Sequence, residues 1–492
     1  MSAEHKHFIN SDFVNGQGKP ITARDPWTLE PTWLGHAASA EQVDEAVRTA
    51  RKAQPAWSAT PLENRIVICQ RFAQLAAEHA EALTEAVASE AGKPRWEAAA
   101  EVGLIGPKVE TSIAEHHRQL TETTFDLPNA KAVTRHRSHG VLAVIGPFNF
   151  PVHLPNGHIV PALLAGNTIV FKPSERTPSA GILMAKLWAD AGLPPGVLSA
   201  IVGARETGEA LVAHPQIDGV LFTGSYNAGR AIAAKLIDEP GKIVALELGG
   251  NNAIVVDKVA NLDAAAYTVA VSAFSTAGQR CNCARRLILT PAVDRQQFLN
   301  RLIAITQSIK IGHFDEDPQP FTGPLISPEA GQAILDAQAS LENQNGTILE
   351  PVKQAGDHTG ILRPGIIDAA NIDDLPDEEH FGPLLRVLDA DNLDHAMTLA
   401  NQTRYGLAAS LLTDNVEDFN TFVHTVRAGV INLNGPTVGA SGKMPFGGIG
   451  RSGNHRPSAA AAAAYCAFPV ASMQAAPLQP VTQPMPGIKA SA

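Results

Sequence analysis

Two short stretches of the sequence contain side chains that could carry out covalent chemistry. Residues 274–284 read F-S-T-A-G-Q-R-C-N-C-A and include Cys281, and residues 246–253 read L-E-L-G-G-N-N-A and include Glu247. A cysteine can serve as a nucleophile through its thiolate, and a glutamate in a low-dielectric site can serve as a general base. On its own, Cys281 could be a small buried packing residue, and Glu247 could be a carboxylate that binds backbone groups. Whether the two residues are catalytic therefore depends on the sequence around them.

The two stretches together resemble the cysteine and glutamate signatures of the aldehyde dehydrogenase superfamily, and their spacing along the chain is also similar. The resemblance covers essentially the whole chain. It implies that the thiolate of Cys281 adds to an aldehyde, that hydride leaves to nicotinamide, and that Glu247 activates water against the resulting thioester. Relatives that pass the acyl group to coenzyme A typically lack this glutamate, so hydrolysis is the expected outcome. Cys283 is expected to be a packing residue.

Asn149 is the third residue that the resemblance assigns to the reaction. On its own, the stretch Phe148-Asn149-Phe150-Pro151 predicts a turn after a strand. It also resembles the family's asparagine motif, which implies that the Asn149 amide and the backbone N–H of Cys281 form an oxyanion hole. Such a donor contributes a few kcal/mol to stabilising a transition state.

The resemblance further implies a nicotinamide cofactor. Lys172 and Glu175 would hold the adenosine ribose hydroxyls, and the carboxylate of Glu175 should repel a 2′-phosphate, which favours NAD over NADP. The other expected cofactor contacts lie in a phosphate-binding loop and in a segment near the nicotinamide ribose, namely Gly224, Ser225, Gly229, Glu379 and Phe381.

Within the superfamily, residues 153–167, 283–286 and 452–458 look like those of members that oxidise a succinylated glutamate semialdehyde in the arginine succinyltransferase route of arginine breakdown. An aldehyde that carries several carboxylates needs cations and hydrogen-bond donors in its pocket. The candidates are Arg280, His153, His455 and Arg456.

Two alternative functions stay open at this point. One is a dehydrogenase for another acidic semialdehyde, such as succinate or glutamate semialdehyde. The other is a binding or structural protein that uses the same fold without catalysis, since fold does not fix function. The presence of Cys281, Glu247 and Asn149 together argues against the second alternative.

Apolar runs that alternate with helical patterns predict the elements that must position these residues. Near-continuous apolar runs are typical of parallel strands buried on both faces, and their alternation with helices indicates βαβ units. Strands are predicted at 141–145, 168–171, 220–222, 243–246, 253–256, 285–289 and 430–433, and helices at 39–53, 63–91, 179–191 and 206–213.

The expected fold class is therefore α/β. By resemblance, it comprises a Rossmann-like parallel-sheet cofactor domain, an α/β catalytic domain and a small β extension for oligomerisation. The expected NAD-binding domain is residues 1–120 and 139–248, the catalytic domain 249–450, and the extension 121–138 and 465–475. The extension implies a homodimer or a dimer of dimers.

Two glycine- or alanine-rich segments near the C-terminus have simpler predictions. Residues 448–453 match G-x-G-x-x-G, but no strand leads directly into them and no acidic residue follows at the distance needed to hold a ribose. A flexible loop is predicted there instead. The alanine run 459–464 predicts a helix, because alanine is the best helix former.

The composition limits which partners, disulfides and metal sites the protein can have. The 492 residues include 38 Lys and Arg against 49 Asp and Glu, which gives a net charge of −11. An acidic chain without a basic run is a poor nucleic-acid or membrane binder. The partner that the resemblance implies is a small anionic aldehyde. Four cysteines are too few for a disulfide scaffold, and the C-x-C at 281–283 has no second pair for zinc. A cytoplasmic protein without a metal site is expected.

Overall fold

The computed structural model describes residues 6–475, 477–478 and 484–489. The first part of the chain contains six strands and five helices. They are β1 (His7–Ile9), β2 (Asp12–Val14), β3 (Pro20–Arg24), β4 (Pro31–His36), α1 (Ala40–Ala59), α2 (Leu62–Glu78), α3 (Ala80–Ala91), α4 (Arg95–Gly103), α5 (Ile105–Leu120), β5 (Thr123–Leu127) and β6 (Ala130–Ser138).

The next part alternates strands and helices. It contains β7 (Val141–Ile145), α6 (His153–Leu164), β8 (Thr168–Lys172), α7 (Pro178–Asp190), β9 (Leu198–Ala200), α8 (Arg205–Ala213), β10 (Gly219–Thr223), α9 (Tyr226–Lys235) and β11 (Ile243–Glu247).

The last part repeats this alternation and ends in short elements. It contains β12 (Asn252–Val256), α10 (Leu262–Phe274), β13 (Ala284–Leu289), α11 (Arg295–Ser308), α12 (Pro328–Asn343), β14 (Thr347–Glu350), β15 (Lys353–Gln354), β16 (Leu362–Arg363), β17 (Gly365–Asp368), β18 (Leu384–Asp389), α13 (Leu393–Asn401), β19 (Ala408–Leu412), α14 (Val416–Thr425), β20 (Val430–Leu433), β21 (Pro445–Phe446), β22 (Ser458–Ala459), α15 (Ala462–Tyr465) and β23 (Ala467–Ala475), with 3-10 turns at Ser275–Gly278 and Gly450–Ser452.

The first sheet has the strand order β11-β10-β7-β8-β9-β1-β2, and its first five strands are parallel. β7, β8 and β10 are fully buried, as expected for a sheet covered by helices on both faces. The chain adds β8 and β9 on one side of β7 and then crosses to add β10 and β11 on the other side. The carboxyl ends of β7 and β10 therefore form a switch point, which is where open parallel sheets bind ligands.

The second sheet has the order β14-β17-β18-β13-β12-β19-β20 and is parallel apart from its edge strand β14. The predicted boundary between residues 248 and 249 falls between β11 of the first sheet and β12 of the second. The segments predicted as an extension contain β5, β6 and β23, which form an antiparallel three-stranded sheet. Among the described helices, none is long and apolar enough to cross a membrane.

The predicted fold class is confirmed, and each predicted strand is present within one or two residues of its expected ends. Ser39 and Gln42 form the capping box that begins α1. The predicted helix at 63–91 is instead two helices that break at His79. The break is not marked in the apolar pattern because both helices bury their apolar faces in the same core.

Two predictions near the C-terminus are wrong. The alanine run is helical only from Ala462, because Ser458 and Ala459 pair with Pro445–Phe446 and Ala459 has φ 58°. Tertiary pairing overrides the helix propensity of alanine here. The loop at 448–453 is packed rather than flexible: Ser452 is fully buried, and its carbonyl accepts a hydrogen bond from the N–H of Leu248, next to the end of β11.

Asn167 joins three parts of the fold through its buried side chain. Its amide nitrogen donates to the carbonyls of Ala162 (3.0 Å) and Cys466 (2.7 Å), and its oxygen accepts from the N–H of Gly140 (3.0 Å). The side chain thus connects the end of α6, the start of β7 and the start of β23.

Replacing Asn167 with Ala should lower the free energy of unfolding by about 3 kcal/mol or more, because three buried partners lose their hydrogen bonds together. Denaturant unfolding measures this loss. Asn300→Ala, at an exposed position on α11, is the matched control and should change the free energy by about 0.5 kcal/mol or less. A similarly small change for Asn167→Ala would contradict this account of the side chain.

Candidate active site

The loop before Cys281 has an unusual backbone. Thr276, Ala277 and Gly278 all have left-handed conformations, with φ of 55°, 51° and 73°. A Cβ on Gly278 would lie 2.2 Å from the carbonyl oxygen of Gly382, so only glycine fits there. The N–H of Ala277 donates to the hydroxyl of Thr322 at 2.6 Å, which helps to hold the strained turn.

Gln279 and Arg285 fix the orientation of the loop. The Gln279 side chain is buried and accepts a hydrogen bond from the N–H of Ile326 at 2.9 Å. Arg285 donates to the carbonyl of Arg280 at 3.0 Å. Because the peptide between Arg280 and Cys281 is planar and trans, fixing its carbonyl also fixes the direction of the Cys281 N–H on its opposite side.

Two hydrogen-bond donors remain available beside the Cys281 thiol. In the described part of the chain, the backbone N–H of Cys281 has no acceptor. The buried amide of Asn149, in the loop after β7, donates one hydrogen to the carbonyl of Gln279 at 2.8 Å. An amide carries a second N–H. The arrangement can therefore offer two donors to an oxygen that becomes anionic beside Cys281.

Glu247 is the last residue of β11 and is buried. One carboxyl oxygen accepts a hydrogen bond from the N–H of Ser458 at 3.0 Å, and the other has no partner among the residues that the structure describes. Burial raises the pKa of Glu247 to about 8, although the charge of Lys108 and the bond from Ser458 act in the opposite direction. A carboxyl group with such a pKa can exchange a proton near neutral pH.

The thiol of Cys281 has a pKa raised above its ordinary value. Burial is the largest cause, and the carboxyl groups of Glu247 and Glu379 add to it. The sulfur therefore carries its proton at neutral pH and needs a base before it can attack. Cys283, by contrast, is fully buried and donates its S–H to the carbonyl of Ser275 at 3.6 Å, as a packing residue would.

Glu379 and the two glycines after Glu247 occupy the same space. The Glu379 carboxylate accepts a hydrogen bond from the N–H of Gly250 at 2.9 Å, and a Cβ on Gly249 would lie 1.7 Å from a carboxyl oxygen of Glu379. Gly249 is thus required by the close approach of Glu379, whereas a Cβ on Gly250 would lie 2.7 Å from the carbonyl oxygen of Cys281. Phe381 lies two residues further on and packs edge-on against Phe148, with ring centroids 6.0 Å apart.

The remaining expected cofactor contacts lie at the carboxyl edge of the first sheet. Lys172 ends β8, and its buried amine donates to the carbonyls of Pro173 (3.0 Å) and Gly203 (2.6 Å), with a Glu175 carboxyl oxygen 3.7 Å away. Burial lowers the pKa of Lys172, and Glu175 acts against that shift. A buried amine beside a half-exposed carboxylate fits a group that presents hydroxyls, such as a ribose.

The expected phosphate loop follows β10. Ser225 caps α9 by accepting a hydrogen bond from the N–H of Ala228 at 3.3 Å, and Gly224 precedes it at the switch point. A Cβ on Gly229 would lie 2.5 Å from the side chain of Leu248, so this glycine lets α9 pack closely. A helix that begins at the switch point fits a pyrophosphate.

A cavity of about 770 Å³ leads to Cys281. Its walls come from α5, α6, the Cys281 loop, residues 438–446 and β22. Its volume is in the usual range of about 300–1,000 Å³ for small-molecule sites. Its lining residues include the nucleophile candidate and several basic side chains, among them Lys108, His153, His158, Arg280 and Cys281.

Arg280 lines the cavity, but its charge is already compensated. Its guanidinium donates to a carboxyl oxygen of buried Glu97 at 2.6 Å and to the hydroxyl of Thr276 at 2.8 Å. Burial alone would raise the pKa of Glu97, but the charges of Arg280 and Lys93 outweigh it and lower the pKa. Arg280 lines the cavity while its charge is paired with Glu97, and its predicted role in substrate binding stays a prediction.

His153 lies on the cavity wall with a buried Nδ1 that has no partner among the described residues. Burial lowers the pKa of His153 to about 3, and the charges of Lys108 and Lys93 add to this, so its ring is neutral. His158 is buried nearby and bridges the Tyr465 hydroxyl (2.9 Å) and the Thr223 hydroxyl (3.2 Å).

The structure does not bring His455 and Arg456 to the cavity. Both side chains are exposed, and neither lines its walls. The neighbouring Asn454 positions this segment against β11. Its side-chain amide donates to the carbonyl of Val244 at 2.8 Å, and its side-chain oxygen accepts from the N–H of Leu246 at 3.0 Å. This geometry does not support the prediction that His455 and Arg456 bind substrate, and it stays a prediction.

Sequence reasoning missed several residues that shape the site. Asn252 holds the carbonyls of Cys281 and Cys283 at 2.8 Å each, and it stands within the quoted glutamate stretch, where its polarity was a usable signal. Lys108 and Glu97 gave no such signal, because charged residues on helices usually face solvent. No group of three or more His, Cys, Asp or Glu residues in the described ranges could hold a metal ion.

Comparisons with known proteins show the family to which the chain belongs. The sequence profile of the aldehyde dehydrogenase family matches residues 13–468 of the chain. The chain is 49% identical over 467 residues, 95% of each chain, to N-succinylglutamate 5-semialdehyde dehydrogenase from Escherichia coli O9:H4 (strain HS).

Solved structures show the same fold with either cofactor. A putative methylmalonate-semialdehyde dehydrogenase from Sinorhizobium meliloti 1021, complexed with NAD, has a TM-score of 0.91 and 26% identity, covering 96% of this chain and 98% of that one. The NADP-dependent glyceraldehyde-3-phosphate dehydrogenase from Bacillus halodurans C-125, complexed with NADP, has a TM-score of 0.88 and 27% identity, covering 96% and 99%. The chain belongs to the aldehyde dehydrogenase family, whose members use NAD or NADP.

Proposed function

We propose that the protein oxidises N-succinyl-L-glutamate 5-semialdehyde to N-succinyl-L-glutamate with NAD, through a thioester on Cys281, in arginine catabolism. The observation that carries this proposal is the 49% identity, over 95% of both chains, to a relative named for that substrate. The site chemistry supports it, since Cys281 lines the cavity, the charge of Glu247 acts on its thiol, and the Asn149 amide binds the carbonyl of nearby Gln279.

The reaction begins with a proton transfer. The sulfur of Cys281 attacks the aldehyde carbon while its proton passes to the carboxylate of Glu247, which is the nearby base with a suitable pKa. The carbonyl oxygen becomes an oxyanion and accepts hydrogen bonds from the Cys281 N–H and the Asn149 amide. A bound nicotinamide would supply the hydride acceptor, and loss of hydride from the tetrahedral carbon would leave a thioester on Cys281.

Hydrolysis completes the reaction. Glu247 releases its first proton to solvent and then accepts a second from the water that attacks the thioester carbon. The carbon–sulfur bond breaks, Cys281 is reprotonated and the carboxylate product leaves. Because Glu247 is held by the N–H of Ser458 on only one oxygen, the other oxygen is free to meet that water.

NAD is the proposed cofactor because the negative charge of Glu175 is weakly compensated. The amine of Lys172 donates two of its three N–H groups to backbone carbonyls, and the Glu175 carboxylate lies 3.7 Å from that amine. A 2′-phosphate at the ribose would therefore be repelled.

Copies of the chain are proposed to pair through the sheet of β5, β6 and β23. β5 is an exposed edge strand, and the sheet exposes four large apolar side chains: Phe125, Leu127, Phe468 and Met473. A homodimer or a dimer of dimers would cover this edge. A cytoplasmic location is also proposed, and the four unpaired cysteines agree with a reducing compartment.

The substrate proposal predicts selectivity for the succinylated aldehyde. The kcat/KM for NADH production should be about 10- to 100-fold higher on N-succinylglutamate 5-semialdehyde than on glutamate or succinate semialdehyde, because the site gains a charged contact. Cys281→Ala should produce no NADH, whereas Cys69→Ala, in the distant core helix α2, should retain activity. Equal rates on the three aldehydes would refute the substrate proposal, and NADH production by Cys281→Ala would refute the chemistry.

The raised pKa of Glu247 predicts a pH-dependent turnover. Only the carboxylate can accept a proton, so kcat should rise as the pH increases through about 8. Glu247→Gln should abolish this rise and lower kcat by about 10²- to 10⁴-fold. Steady-state rates between pH 6 and 9 measure both, with exposed Glu239→Gln as control. A variant that kept the wild-type pH profile would show that Glu247 is not the base.

The charge of Glu175 predicts the cofactor preference. Glu175→Gln should shift the ratio of kcat/KM values for NAD and NADP toward NADP by about 10-fold, since it removes one like charge from the 2′-phosphate. Exposed Asp238→Asn serves as the charge-matched control. The assignment fails if wild type already uses NADP as well as NAD, or if the variant leaves the ratio unchanged.

A further inference from the structure

Lys108 is a buried cation in the wall of the active-site cavity. It lies on α5, its exposed fraction is 6%, and it lines the cavity that leads to Cys281. Among the residues that the structure describes, its ammonium group has neither an ion-pair partner nor a hydrogen-bond acceptor. A buried charge without a partner is costly, so its presence has to be explained by a group that is absent from the protein alone.

The other buried cations around the cavity are accounted for. Lys93 forms an ion pair with Glu101 at 2.7 Å, and Arg280 forms one with Glu97 at 2.6 Å. Arg285 donates to the carbonyls of Arg280 and Gly382. Lys108 therefore differs from its neighbours, each of which has an acceptor within the fold.

The surroundings of Lys108 leave space for a ligand. Its amine lies 3.9 Å from the place where a Cβ on Gly157 would be, so α6 is open at this point. His153, one turn earlier on α6, lines the same cavity with its buried and unpartnered Nδ1. A neutral imidazole can donate one hydrogen bond. An ammonium and an imidazole without protein partners together fit an anionic oxygen pair.

Lys108 also lies toward the reacting end of the cavity. Its charge lowers the pKa of Glu247, and the charge of Glu247 acts against the lowering of the Lys108 pKa by burial. Lys443, by contrast, is an exposed lining residue. The proposed substrate has one carboxylate on the carbon chain close to the aldehyde and a second at the far end of the succinyl group.

We propose that Lys108 and His153 bind the α-carboxylate of the substrate and so determine its specificity. The inner cation faces the carboxylate nearer the aldehyde, while the succinyl carboxylate extends toward the mouth of the cavity. This assignment rests on the proposed function for the identity of the substrate, but the chemistry applies to any semialdehyde with an inner carboxylate.

The test compares two analogues, each of which lacks one carboxylate. N-acetylglutamate 5-semialdehyde keeps the α-carboxylate, and N-succinyl-4-aminobutanal keeps only the succinyl carboxylate. Lys108→Met should lower kcat/KM by about 10- to 100-fold on the first analogue, mainly through KM, and by less than about 3-fold on the second. Any effect that acts through the pKa of Glu247 is common to both analogues and cancels in the ratio. Equal losses on both would overturn the assignment.

Stability gives an independent readout. If the charge is retained for binding, Lys108→Met should raise the melting temperature, because it removes an unpaired buried charge, whereas a structural role predicts a lower one. Lys108→Gln is measured in parallel. If Lys108→Met folds poorly, the Gln variant still gives the ratio of kcat/KM values on the two analogues. Lys52→Met, at an exposed position on α1, is the matched control and should behave as wild type.

The outcomes also separate this assignment from the proposed function. Wild type could prefer a different acidic semialdehyde while Lys108→Met lowers kcat/KM only on substrates with an inner carboxylate. In that case the proposed function is refuted and the assignment of Lys108 holds. If wild type prefers the succinylated substrate but the ratio between analogues is unchanged in both Lys108 variants, the function holds and the assignment fails.

Discussion

The proposed chemistry depends on one constraint: groups from two separate sheets have to meet at a single sulfur. Glu247 ends β11 and Asn149 follows β7, both in the first sheet, whereas Cys281 precedes β13 of the second. The hydrogen bond from the Asn149 amide to the carbonyl of Gln279, at 2.8 Å, joins the two sides directly. The left-handed turn at Thr276–Gly278 brings the loop to that bond, and buried side-chain hydrogen bonds hold a backbone that would otherwise be strained.

Burial shifts the pKa values in the site and also requires that buried charges be compensated. It raises the pKa of the Cys281 thiol, so the thiol keeps its proton at neutral pH, and it raises the pKa of Glu247, so that carboxylate is a stronger base than usual. Glu97 and Glu101, four residues apart on α4, compensate the cations that support the loop and α6. Lys108 is left as a charge that the fold does not neutralise, which is consistent with an anionic substrate completing the site.

Much of the fold could be predicted from the sequence because parallel strands buried on both faces leave apolar runs, as at Val141–Ile145. The motifs around Cys281 and Glu247 also indicated the reaction. The charge pairing could not be predicted, since Arg280 and Glu97 are far apart in sequence and meet only through packing. The loop at 448–453 and the alanine run were mispredicted for a related reason: they are fixed by contacts with Leu248, next to β11, and with Pro445–Phe446, which no local pattern records.

The most direct test of the account is to trap the enzyme during turnover and locate the acyl group by mass spectrometry of its peptides. We expect rapid acid quenching after mixing with aldehyde and NAD to give a single acyl adduct on Cys281, with Cys283 unmodified, and the adduct should accumulate further when Glu247 is replaced by Gln. Turnover without an adduct on Cys281, or with the acyl group on another side chain, would contradict the central claim.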